Sequence, residues 1–223
     1  MNERDQIARD HPFSYKGIFR AYDFSEIRDS NPFRLSIALS IGILFITKFS
    51  EKSYYEILTF WVAQIMAVFP NLLGFNLGGY ALIVGFGNGN LLKAMTRKAP
   101  NKRASIFQKL SGVFAFSILL QLAAFIVAFS VNFLNQYNFK STNDLIVNTV
   151  NGSLVAIVSF LGFWGLFIVP NLVSNVFNFG QMHHSMLTIE RIEAEQKQQR
   201  DIERNEAEQK QRDTESKRRQ EQV

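Results

Sequence analysis

The sequence contains no cysteine. Disulfides, thiolate metal sites and cysteine nucleophiles are thereby excluded. Charge is the second scarcity, and it is local. The chain has 24 Lys and Arg and 19 Asp and Glu in 223 residues, yet 19 of these charged residues fall within positions 184–223. The middle of the chain holds long stretches with almost none. An apolar body with a solvated tail explains this split better than a uniform globule. The N-terminal stretch, Met1 to Phe33, has no signal-peptide apolar region and no cleavage site.

The uncharged stretches are long enough to cross a bilayer, which takes about 20 mostly apolar residues for a hydrocarbon layer of about 30 Å. Four are present: Leu35 to Phe49, Ile57 to Phe86, Leu110 to Phe133 and about Leu154 to Phe179. The second has no charge in 30 residues. A straight helix of that length would measure about 45 Å, so it must tilt, protrude or break, and Pro70 marks the place. Pro170 lies inside the fourth. The fold expected is all-α, a four-transmembrane-helix membrane protein with a C-terminal charged helix. Its parts are a cytoplasmic or interfacial amphipathic segment (1–33), a transmembrane domain (34–180, spans about 34–49, 57–87, 110–133 and 152–179) and a cytoplasmic helical tail (181–223).

Lysine and arginine set the orientation. The segment through Arg34 has six, the 48–56 loop two, the Asn88 to Lys109 loop six, the 134–153 loop one and the tail nine. Alternating sides gives 21 inside against 3 outside, so both termini are expected in the cytoplasm and the protein in a cell membrane, the bacterial inner membrane, as a multi-pass chain. The third of these segments contains no acidic residue. Its Lys93, Arg97, Lys98, Lys102 and Arg103 form a basic loop at the membrane surface, where anionic headgroups are a nearer partner than nucleic acid; no specific nucleic acid is expected.

No Asp, Glu, Lys, Arg or His lies deep in any span. Proton-coupled transport, voltage sensing and intramembrane hydrolysis all draw on such groups, so no enzyme, no catalytic residue, no cofactor and no metal is expected. The adjacent His183 and His184 point about 100° apart on a helix and chelate one ion poorly.

The spans carry amides instead. Asn71 and Asn76 fall in the second, Gln121 in the third, and Asn171, Asn175 and Asn178 in the fourth. The last three recur at i, i+4 and i+7, on one helical face. Such amides either line a watery path or hydrogen-bond to neighbouring helices, the latter at about 0.6 kcal/mol each. Phe69-Pro70-Asn71-Leu72 has a counterpart 100 residues on in Val169-Pro170-Asn171-Leu172. Each lies in the second helix of a hairpin, the pattern of a parallel duplication about an axis along the membrane normal. Gly74, Gly78 and Gly79 let another helix approach the second span closely, within the monomer or between subunits.

At the ends, residues 11–33 interleave aromatics with both charge signs and read as a short amphipathic helix on the cytoplasmic interface. The tail contains the near-repeat Glu193 to Gln198 and Glu206 to Gln211, with i, i+4 charge pairs that favour helix. Apolar residues thin out after Ile202, so only its first turns have material for a coiled coil. Residues 1–33 and 188–223 are the candidate surfaces for a cytoplasmic protein partner.

The run from Pro70 to Leu82, continued by Gly85 to Asn88, resembles a stretch in small membrane proteins of bacterial anti-phage defence loci. The resemblance implies a membrane component that senses infection or perturbs the bilayer on activation, often as an oligomer with a cytoplasmic partner. The expectation is therefore a homo-oligomer that forms or gates a pore, or perturbs the membrane. The alternative is a membrane anchor or sensor recruiting a cytoplasmic partner.

Overall fold

A computed structural model describes residues 15–22, 24–86, 89–97, 104–137 and 143–220. Among them there are eight helices and no strand. In chain order they are α1 (Tyr15–Ala21), α2 (Phe24–Arg28), α3 (Asn31–Lys48), α4 (Tyr54–Phe86), α5 (Gly89–Thr96), α6 (Ile106–Asn135), α7 (Asp144–Phe167) and α8 (Val169–Gln220). The chain divides into two compact units, residues 1–177 and 178–223.

Short polar residues start the helices where the sequence supplies them. Ser30 caps α3, accepting from the Phe33 amide, with Pro32 in the first turn, where its missing N–H removes no helical bond. Ser105 and Gln108 form a reciprocal capping box on α6, at 2.9 and 3.2 Å. Asn143 accepts from the amides of Leu145 and Ile146 and opens α7. The helix thus begins well ahead of the stretch from 152 that hydropathy picks out, because Asn148, Thr149 and Asn151 dilute apolarity without breaking a helix.

Three stretches of helix are long and apolar enough to cross a membrane: Tyr54–Gly85, Ile106–Asn135 and one beginning at Asp144. These fit a membrane protein. Helix α3 is not among them. Its 18 residues span about 27 Å and carry Arg34 near the start and Lys48 at the end.

Within the first unit, α4 packs along α6, α3 packs along α7, and α7 also touches α4 and α6. The core joins Leu58, Val62, Ile65 and Phe69 of α4, Ala124, Ala128 and Val131 of α6, and Val155 and Val158 of α7. Exchanging α3 for α6 and α4 for α7 maps the α3–α7 pair onto α6–α4, the relation a duplication would give; the α6–α7 contact has no equally extensive α3–α4 equivalent. Small residues fix the closest approaches. A methyl at Gly165 would lie 2.8 Å from the Phe69 ring, and one at Gly162 would lie 3.2 Å from Ile65.

Helix α3 is built inside out. Its buried residues are Ser36, Ser40 and Thr47, whose hydroxyls donate to the carbonyls of Pro32, Ser36 and Ile43, four residues back, at 2.6–2.7 Å. Leu35, Ile37, Leu39, Ile41, Phe45 and Ile46 face outward. Soluble proteins rarely expose apolar patches of that extent.

Of the segment expected as one amphipathic helix, the described residues between 15 and 28 form two short helices, α1 and α2. α1 lies on α6, and a methyl at Gly112 would meet the Ala21 side chain at 2.9 Å and the Tyr22 backbone at 3.4 Å. Ile27 and Tyr22 are buried, and the Tyr22 ring meets Phe116 edge-on at 5.6 Å. Phe116 continues to Trp164 and Trp164 to Phe33, so one aromatic chain ties this segment to α6, α7 and α3. Lys109 pairs with Glu26 at 2.8 Å, an exposed contact of little energetic weight.

In the second unit, α8 is charged and exposed from Arg191 onward. Its ion pairs, Arg191–Glu195 at 2.9 Å and Arg204–Glu208 at 3.1 Å, sit 13 residues apart, so the near-repeat emerges as two equivalent pairs.

Candidate functional site

The amides expected in the spans divide into two groups. Asn76 of α4 and Gln121 of α6 are fully buried with Ser117, one turn before Gln121. The Asn76 Nδ2 donates to Gln121 Oε1 at 2.6 Å and reaches Ser117 Oγ at 3.5 Å. The Gln121 Nε2 donates to the Gly165 carbonyl of α7 at 2.9 Å. Three helices are thus joined by one amide chain. Asn76 Oδ1 is the one buried side-chain polar atom, among the described residues, with no partner. One turn along α4, the Tyr80 hydroxyl meets Ser111 of α6 at 3.3 Å.

The clasp ends next to a helix break. α7 stops at Phe167, Ile168 separates it from α8, and Pro170 falls in the first turn of α8. Proline has no N–H, so the carbonyl four residues back, Leu166, loses its helical donor. Gln121 supplies a side-chain donor to the carbonyl just before it. At Pro70, by contrast, α4 runs on unbroken. There the Asn71 Nδ2 reaches back to the Ala67 carbonyl at 3.5 Å, the neighbour of the one proline leaves bare. The same Pro-Asn motif yields a break in one place and a continuous helix in the other.

The second group faces outward. Asn71 and Asn171 are exposed and Asn175 half-buried, and both prolines are exposed; Asn178, in the second unit, is exposed as well. Gln64 of α4, which hydropathy alone does not single out, is exposed within an apolar helix too. Gly79 packs against Phe114 and Val176, whereas nothing lies within 4 Å of a methyl placed at Gly74 or Gly78. The face of α8 bearing Asn171 and Asn175 and the buried Asn76–Gln121 pair are therefore distinct sites.

Of the basic loop, Lys93 and Arg97 are exposed on and just after α5, whose Leu91 and Met95 are buried. Lys98, Lys102 and Arg103 lie outside the described residues. The sequence reading missed Ser117, Gly162 and Gly165. Ser117 was visible as the i−4 neighbour of Gln121 on the same face; the glycines carried no signal, because what demands them is a ring on another helix.

No protein-family model, curated protein or solved structure matches this chain. The class is defined by the helices themselves, as a helical protein with stretches fit to cross a membrane.

Proposed function

We propose that the chain is a non-enzymatic, multi-pass protein of the bacterial inner membrane, with both ends cytoplasmic, that self-assembles and forms or gates a pore. The carrying observation is where the amides point. The interior of the helical unit is filled by apolar side chains and by the Asn76–Gln121–Gly165 chain. Gln64, Asn71, Asn171 and Asn175 instead reach the outside of apolar helices, where lipid offers no hydrogen bonds. Assembly of copies satisfies them and encloses a conduit lined by the second and fourth apolar stretches. Helix α3 serves as a further span, its apolar side chains turned to lipid. The resemblance of the 70–88 stretch supports a role in prokaryotic anti-phage defence, by permeabilising or perturbing the membrane on activation.

Planar-bilayer recordings test this reading. Purified oligomer conducts under an activating condition, and replacing Asn171 and Asn175 with Leu alters conductance while leaving insertion intact. Silence under every condition ends the proposal. Tags at positions 53 and 140 report on orientation and are reachable from the outer side alone.

One observation favours a second reading. The exposed, charged part of α8 from Arg191 onward is a surface for a cytoplasmic partner, as in a membrane anchor or sensor. Deleting residues 188–223 separates the two, since conductance survives in a pore and partner capture is lost in a recruiter.

A further inference from the structure

Helix α4 has two seams. One is the intramolecular face, where Leu58, Val62, Ile65, Phe69, Asn76 and Ile83 are buried. The other runs along the opposite side and is exposed for its whole length: Phe60, Gln64, Ala67, Asn71, Gly74, Gly78, Ala81 and Gly85. The spacing alternates four and three without a slip, the heptad rhythm of a helix that pairs with another helix at a shallow left-handed crossing. From Gln64 onward every member is small or an amide. A methyl at Gly74, Gly78 or Gly85 meets nothing within 4 Å, so no part of the described chain uses this face.

Two independent features of the seam specify its occupant. Small residues in heptad register let two backbones approach, which is how apolar helices associate where lipid removes any hydrophobic drive. The amides then demand a polar partner. Asn71 makes a single marginal bond, 3.5 Å to its own helix, and an amide carries two donors and an acceptor, so the group that best completes it is another amide in the same register. We infer that α4 packs through this seam against α4 of a second copy of the chain, about a common axis, bringing Asn71 to Asn71 and Gln64 to Gln64. The inference rests on the self-assembly in the proposed function and names the surface responsible. An asparagine at such a position also fixes register and subunit number. Lipid acyl chains, the rival occupant, pack against small residues without satisfying either amide.

The absence of native cysteine makes the test direct. Single Ala67→Cys, Gly74→Cys, Gly78→Cys and Ala81→Cys variants of the full chain are oxidised in native membranes, beside Leu77→Cys and Val84→Cys, which are exposed on the same helix but off the seam. A disulfide needs Cα atoms within about 7 Å. The seam positions give a crosslinked species and the two controls do not. Native mass spectrometry of Gly74→Leu and Gly78→Leu in detergent then gives monomer, with helicity unchanged. Where the wild-type chain is oligomeric but seam cysteines stay uncrosslinked, or the controls crosslink equally, the seam is wrong and self-assembly stands. Where the wild-type chain is monomeric in membranes and detergent alike, self-assembly itself fails.

Discussion

Asn71 and Asn76 stand five residues apart on one helix and have opposite surroundings. Asn76 is enclosed and bonded to a second helix, which in turn is bonded to a third. Asn71 faces outward beside open glycines. The contrast teaches that an amide in an apolar helix is not one kind of signal. The inner one joins three helices, and the outer one bonds only to its own helix.

The contrast breaks most readily at Gln121. Gln121→Leu strands the Asn76 amide and removes the donor to Gly165, and leaving buried polar groups unpaired costs about 1–3 kcal/mol each. The unfolding midpoint of the monomer in denaturant should fall accordingly, whereas Asn71→Leu should stay within about 0.5 kcal/mol. Equal losses would mean the two amides do not differ. Glycines give a second, smaller test. Gly165→Ala forces a methyl against the Phe69 ring and should cost about 1–3 kcal/mol by overpacking. Gly74→Ala meets open space and should stabilise the helix by up to about 1 kcal/mol, as read by thermal melting of the monomer.

The smallest effect concerns the docked N-terminal segment. Burial, and then the nearby Glu26 carboxylate, raise the Tyr22 phenol above its ordinary value of 10.0. The folded state therefore holds this proton longer than the unfolded state. The resulting stability is whole below about pH 10 and declines as pH rises through the folded value. Protection of residues 15–22 from protease should weaken at alkaline pH, and Tyr22→Phe should abolish that pH dependence.

Much of this was legible in the sequence. Five residues turn a helix through about 140°, so Asn71 and Asn76 could not share a face. Which of them faces inward was not legible, because it depends on where α6 lies. α6 is apolar on every side, and a helix without a stripe does not announce its buried face. The start of α7 at Asp144 was hidden by its asparagines. The break at Ile168 was hidden too, since Pro70 and Pro170 carry the same neighbours. The N-terminal aromatics read as an interfacial helix because Gly112, which lets α1 sit on α6, is distant in sequence.

The pairing of α3 with α7 has a consequence for synthesis. Phe33 meets Phe160 and Trp164, partners that leave the ribosome more than a hundred residues later. Until then the shortest of the apolar helices stands without its mate, its hydroxyls bonded only to its own backbone. A nascent chain halted before Asp144 should therefore expose α3 to quality-control proteases, and the last apolar helix to emerge is the one that secures the first.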